Sequence, residues 1–179
     1  MNISKCLALA LLFFGVLGAT TCFAGKDKVT DLSVTYAGSG FDLTDPDEDG
    51  YPVNVFMTEA KGTFGKSSIM VLSEFAEDTD SSVTCPPGFD QAFDLVRCVT
   101  TMTTPHVDQL WGWFTGGYLC MTNDNMAWIG EAGGVYIGGT GRFQGATGEW
   151  TTEYSGANFD ADSGYRTISG TIEGTINTP

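Results

Sequence analysis

The alternation of apolar and polar residues along the chain has a period of two almost throughout. From Asp31, Leu32, Val34 and Tyr36 point one way while Asp31, Ser33 and Thr35 point the other, as in a strand with one buried face. After a loop rich in Gly, Ser and Asp from Gly38 to Gly50, Val53 to Thr63 reads as a second strand. Ser68 to Phe75 reads as a third, with Ile69, Met70, Val71 and Leu72 apolar on both faces. Glu77 to Thr84 and the Pro86-Pro87-Gly88 turn form a long polar excursion. Strands resume at Ala92 to Thr101, Leu110 to Phe114 and Tyr118 to Met121, with Gly116-Gly117 expected as a tight turn between the last two, and then at Met126 to Gly130.

The stretch Gly133 to Trp150 reads as a strand, a glycine corner and another strand. Val135, Tyr136 and Ile137 suit a pleated surface, and Gly138, Gly139, Gly141, Gly145 and Gly148 remove the Cβ atoms that resist a sharp bend. The final strand is the most regular. Ile168, Gly170, Ile172, Gly174 and Ile176 form one face, and this alternation of large and small residues is what fills a small barrel. No segment after residue 24 has helical periodicity. The pattern predicts an all-β fold, a single closed antiparallel barrel of about eight strands. Gly62-Thr63-Phe64-Gly65 and Gly141-Arg142-Phe143-Gln144-Gly145 hint at repeated corner geometry.

Met1 to Ala24 has the parts of a secretory signal: Lys5, an apolar run from Leu7 to Leu17, and small residues before Gly25. The run is shorter than the roughly 20 residues a membrane helix needs. The expectation is a signal over 1–24, cleaved after Ala24, and a barrel domain over 25–179 in the periplasm or medium. Lipidation at Cys22 is the alternative, disfavoured because Ala19-Thr20-Thr21 lacks the aliphatic lead-in. Removing Lys5 leaves 7 of the 8 Lys and Arg against all 22 acidic residues, a formal charge of −15. That balance repels phosphate backbones and anionic membranes, which disfavours nucleic acid and lipid surfaces as partners.

Beyond the signal the cysteines are Cys85, Cys98 and Cys120. In an oxidising compartment two of them pair, and Cys85 with Cys98 is the local choice, Cys98 with Cys120 the alternative.

The segment Gly138-Gly139-Thr140-Gly141-Arg142-Phe143-Gln144-Gly145-Ala146-Thr147-Gly148 resembles the barrel signature shared by plant allene oxide cyclases and dirigent proteins. It is most similar to bacterial exported proteins described as allene oxide cyclase barrel-like. The resemblance implies an antiparallel eight-stranded barrel with a lumen, in a superfamily whose plant members often form trimers and steer reactive small molecules to one stereochemical outcome. The family's functional residues do not carry over: no glutamate here sits in the early-strand context of the cyclases, and Arg142 falls at a variable position of the signature.

Several constellations carry candidate chemistry. Asp45-Pro46-Asp47-Glu48-Asp49-Gly50 places Asp45, Asp47 and Asp49 at alternating positions before a glycine, like the opening of a calcium loop, but Phe56 stands where the bidentate glutamate belongs. Calcium or a solvated acidic turn are the two readings, and no other cofactor is expected. Trp111, Trp113 and Tyr118 form an aromatic set suited to a ligand in a barrel mouth, or to core and subunit packing. Glu74, Arg97 and Glu131 continue apolar rows. They either end the buried part of a strand or project into the lumen as acid, base or ligand anchor. His106 lies in a polar loop without a nucleophile motif and reads as surface.

Three functions follow: an exported barrel holding a small apolar or amphipathic molecule, a cyclase or isomerase working in the lumen, or a structural protein whose aromatic face makes a homo-oligomer. An open apolar lumen favours the first, paired charges inside it the second, and a lumen plugged by aromatics the third.

Overall fold

The computed structural model describes residues 27–43, 51–78, 82–159 and 164–179. The signal over 1–24 and the acidic trio Asp45, Asp47 and Asp49 lie outside the described residues. Eight strands follow one another around a closed antiparallel barrel: β1 (Lys28–Leu43), β2 (Val53–Gly62), β3 (Gly65–Glu77), β4 (Gln91–Thr103), β5 (Gln109–Met121), β6 (Ala127–Gly139), β7 (Thr147–Asn158) and β8 (Arg166–Thr178). Each pairs with its sequence neighbour, and β8 closes the ring on β1 in a ladder running from Lys28 opposite Thr178 to Gly40 opposite Arg166. Closure pairs both sides of all eight strands, so among the described residues the sheet has no open edge for another chain to join.

The inward face of each strand is the apolar half of its alternation. Leu32, Val34 and Tyr36 of β1 point into the barrel as their periodicity requires, and so does the Ile168-to-Ile176 row of β8. The glycines of such rows make room for rings from other strands. A Cβ on Gly134 would lie 2.4 Å from the Trp150 ring, and one on Gly156 would lie 2.1 Å from the Trp128 ring.

The glycine corner is a single 3-10 turn, Gly141–Phe143, between β6 and β7. Gly141 and Gly145 take positive φ angles of 56° and 72°, which glycine adopts without strain. The turn drives Phe143 into the end of the barrel, where it is almost fully buried. There it meets Phe64 edge-on at 5.1 Å, and the Arg142 guanidinium lies over both rings at 4.8 and 4.9 Å. Asp108 holds Arg142 in an ion pair at 3.5 Å. The two Gly-x-Phe corners therefore face each other across one end of the barrel and close it.

Local expectations are corrected. Residues 38–43, read as the start of a loop, continue β1, which runs to Leu43. Gly116-Gly117 is not a turn: β5 runs unbroken through it, with irregularities between Trp111 and Gly112 and between Phe114 and Gly116. A Cβ on Gly117 would lie 2.7 Å from the Glu131 carbonyl oxygen, so the glycine serves close strand approach. The turn lies beyond Met121. There the Asp124 carboxylate accepts from the Thr122 hydroxyl at 2.6 Å and the Met126 N–H at 3.1 Å, and Asn125 takes a φ of 58°.

The disulfide joins Cys85 to Cys120, not Cys85 to Cys98 or Cys98 to Cys120. The reason is an irregularity in β4. Glu74 pairs with Arg97 but Phe75 with Leu95, so Val96 is an extra residue, and Leu95 and Cys98 both turn inward while Val96 and Arg97 are exposed. The barrel wall thus separates Cys98 from the excursion that carries Cys85. Cys120 faces outward beneath that excursion and stands opposite Ala92. Closing a loop of 35 residues constrains the unfolded chain by about 4 kcal/mol in the loop-entropy model. Such a bond fits an oxidising compartment.

The outer wall has two characters. On β7 and β8 the outward residues are Glu149, Thr151, Glu153, Ser155, Thr167, Ser169, Thr171 and Glu173, a solvated surface. On β1 to β6, an apolar rung runs from Phe41 through Val55, Leu72, Val99 and Trp113 to Val135, each directly opposite the next. Among the described residues no helix is long and apolar enough to cross a membrane.

Candidate functional site

Inward-facing side chains leave a free cavity of about 70 Å³. A single water needs about 10–15 Å³ of such space, so the cavity suits a molecule of a few heavy atoms. Its walls are mostly aromatic and aliphatic, including Tyr36, Phe56, Leu95, Trp128, Tyr136, Trp150, Tyr154 and Ile172. The sealed end lies below, at Phe143, Leu110 and Ile176.

Polar groups deep in the lumen are neutral. The Tyr36 hydroxyl and Thr152 Oγ1 share a hydrogen bond at 3.0 Å, and the Tyr154 hydroxyl donates to the Tyr118 carbonyl at 2.7 Å. Burial pushes Tyr36 up to about 12 and the Cys98 thiol up to about 12. It also raises Tyr136 and raises Tyr154 well above the ordinary tyrosine value. All four therefore keep their protons at neutral pH, and Cys98 is an inert thiol.

The opposite end is a polar mouth. Asp42 of β1 stands opposite Asn54 of β2, and Asn158 of β7 stands opposite Arg166 of β8. Closure of the barrel brings Asp42 and Arg166 together as a hydrogen-bonded ion pair. Burial raises the Asp42 carboxyl above its ordinary value, and the Arg166 charge and hydrogen bond work against that rise. Asn54 is 4 % exposed and lines the cavity with Arg166. Its amide nitrogen donates to the Pro52 and Ser73 carbonyls, both at 3.3 Å, and the Asn158 amide nitrogen donates to the Asn125 carbonyl. Those carbonyls require donors, so each amide is oriented with its oxygen as the free end. Asp42 Oδ1, Asn54 Oδ1, Asn158 Oδ1, Arg166 Nε and Trp128 Nε1 are buried without a hydrogen-bond partner among the described residues. Phe56, Trp128 and Tyr154 line the space just beneath, with ring centroids 5.9 Å apart in each successive pair.

The residues singled out from sequence lie elsewhere. Trp111 and Trp113 are exposed on the outer face of β5, because Leu110 and Gly112 take the inward positions. Tyr118 also lies outside, opposite Glu131, where burial and the hydrogen bond with Glu131 raise its pKa. None of the three lines the lumen cavity. Glu74 and Arg97 do come together, at 3.1 Å, but on the outer wall, since Ser73 and Phe75 of β3 are the residues that reach the cavity. Glu131 is exposed and sits directly opposite Glu153. His106 is exposed in the turn between β4 and β5. Among the described residues no group of three or more His, Cys, Asp or Glu is placed to hold a metal.

Sequence reasoning missed the mouth. Asp42, Asn54, Asn158 and Arg166 lie on four strands, each beside a loop where polar residues are ordinary. One signal was available: all four fall on the inward parity of their strands.

No family model matches the chain, and no curated protein matches it. Among solved structures, the chain is similar to a pterocarpan synthase dirigent protein at 11% sequence identity, with a TM-score of 0.49 over 87% of this chain and 88% of that one. The closed eight-stranded architecture rests on the strand ladder of this chain itself.

Proposed function

We propose that this protein is an exported barrel that binds one small, largely apolar molecule in its lumen. The observation that supports this most is the asymmetry of the interior: an apolar cavity closed at one end by Phe143 opens at the other onto buried polar atoms without partners. A purely structural core would pair such atoms, because a buried unpaired group costs about 1–3 kcal/mol. The signal over 1–24 and the disulfide support export. The Gly138-to-Gly148 signature supports placement with the bacterial exported allene oxide cyclase barrel-like proteins.

Native mass spectrometry of the mature protein from its own host tests the reading. A non-covalent adduct of a small molecule is expected. A ligand-free protein whose lumen also excludes small alcohols would overturn it.

In this reading the lumen holds and shapes its guest without acid–base chemistry from Glu74, Arg97 or Glu131, which lie on the outer wall. The cyclase or isomerase alternative would have to draw on Asp42 or Arg166 at the mouth for proton movement.

The outer wall favours a second role, assembly with further copies of the chain. Trp111, Trp113, Met57, Met70 and Leu72 are exposed and lie on adjoining rungs of the sheet, forming a contiguous apolar surface of the kind that marks interfaces. Sedimentation of the wild-type protein as an oligomer, and of a Leu72→Glu, Trp113→Glu variant as a monomer, is the expected outcome. A monomeric wild type would dismiss this role. Calcium at Asp45, Asp47 and Asp49 is a separate proposal resting on their spacing. It predicts a rise in Tm with millimolar calcium that an Asp47→Ala, Asp49→Ala variant lacks.

A further inference from the structure

The five atoms at the mouth without a hydrogen-bond partner among the described residues limit what a lumen ligand could present to them, an inference that rests on the lumen-binding reading. Three of them accept hydrogen bonds: Asp42 Oδ1, Asn54 Oδ1 and Asn158 Oδ1. Two donate: Arg166 Nε and Trp128 Nε1. Asn54 and Trp128 are more than nine-tenths buried and both line the cavity. The ion pair between Asp42 and Arg166 cancels the formal charges of the mouth.

Each candidate head group meets this set differently. A carboxylate only accepts, so it would satisfy the two donors and be repelled by three oxygens. An ammonium only donates, and it would bring a net charge into a neutral, partly buried ring. A single hydroxyl donates once and leaves most of the set unmet. Adjacent hydroxyls both donate and accept, and they are neutral. We propose that the mouth formed by Asp42, Asn54, Trp128, Asn158 and Arg166 is a recognition site for a neutral head with adjacent hydroxyl groups, whose apolar body enters the lumen.

The tryptophans supply the readout. Of the four, Trp128 lies at the mouth, Trp150 lines the lumen, and Trp111 and Trp113 stand on the outer wall as internal controls. Indole N–H signals of the ¹⁵N-labelled mature protein are followed during titration with four probes sharing one chain length: 1,2-butanediol, 1-butanol, butyrate and butylammonium. The expected result is a shift of the Trp128 signal that saturates at about tenfold lower concentration for the diol than for 1-butanol, the effect of one more well-placed hydrogen bond. Both charged probes bind more weakly than 1-butanol, and the Trp111 and Trp113 signals stay in place. An Asn54→Leu substitution removes the advantage of the diol. The head-group series on the unaltered chain decides the matter even if that variant does not fold.

Equal saturation by all four probes would overturn the head-group assignment and leave the lumen reading intact. Tightest binding of either charged probe would overturn it as well. A diol that binds no better than 1-butanol would show that the mouth holds water only. Failure of every probe to move Trp128 or Trp150 would remove both readings together.

Discussion

At the sealed end of the barrel, Phe143, Leu32, Leu110 and Ile176 are almost wholly withdrawn from water, and Arg142 lies across the rings of Phe64 and Phe143 while paired to Asp108. At the mouth, Asp42, Asn54, Trp128, Asn158 and Arg166 are turned inward with hydrogen-bonding atoms left over. Thr104 Oγ1 is such an atom near the sealed end, and Trp150 Nε1 lies deeper in the lumen. One end is thus built mainly for packing, with Thr104 Oγ1 its single unpartnered polar atom among the described residues. The other retains unmet polar capacity that costs stability and is available to a ligand. The difference separates the residues that hold the fold from those that give it a use.

Four outcomes would break or sharpen that contrast, and the largest concerns whether the mouth admits bulk water. Tyr36 is shifted from 10 to about 12 and Cys98 from 9 to about 12 because both are buried in the lumen. Above the unfolded values the unfolded chain has lost protons that the folded chain retains, so stability is full below about pH 9 and falls as pH rises. The slope is about 1.4 kcal/mol per pH unit for each such group, a loss on the order of 5 kcal/mol by pH 12. Urea midpoints measured from pH 8 to 12 should show the fall, and the share of the tyrosinate absorbance that belongs to the lumen residues Tyr36, Tyr136 and Tyr154 should appear only as the chain unfolds. Ionisation of Tyr36, Tyr136 or Tyr154 near 10 in the folded protein would show that water reaches the lumen freely.

At the sealed end, Phe143→Ala should cost about 3–5 kcal/mol, read from the urea midpoint, since it opens a cavity and strips Phe64 and Arg142 of their partner. A loss under 1 kcal/mol would mean that this end does not close the barrel. At the mouth, Gly156→Ala brings a Cβ to within 2.1 Å of the Trp128 ring and of the Thr167 carbonyl oxygen. It should cost about 1–3 kcal/mol by overpacking and displace the Trp128 indole signal. The smallest effect is expected from Trp128→Phe, which keeps an aromatic ring and removes an unpartnered donor. Its stability should stay within about 1.5 kcal/mol of wild type, while affinity for 1,2-butanediol falls. A loss as large as that of Phe143→Ala would erase the distinction between the two ends.

Much of the fold was legible residue by residue. The row Ile168, Gly170, Ile172, Gly174 and Ile176 faces inward as its alternation requires, and the Gly138-to-Gly148 segment bends where its glycines allow. The site was not legible in the same way. Leu110-Trp111-Gly112-Trp113-Phe114 reads as an aromatic wall, yet Gly112 takes the inward position, where a Cβ would lie 3.0 Å from Trp150 Nε1. A glycine becomes an inward position only because a ring from another strand occupies its space. The pairing expected of Cys98 failed for a similar reason, since one extra residue at Val96 leaves it facing into the barrel.

The sequence by itself determined the all-β barrel, the inward faces of regular strands such as β1 and β8, and the glycine corner, because these depend on spacings of two residues and on local backbone freedom. Tertiary closure decided which cysteines pair, which tryptophans face the lumen and what stands at its mouth. Asp42 and Arg166 are 124 residues apart and meet only because β8 pairs with β1. Such a pairing is a property of the closed ring and its register, and neither is written in any local stretch of the chain.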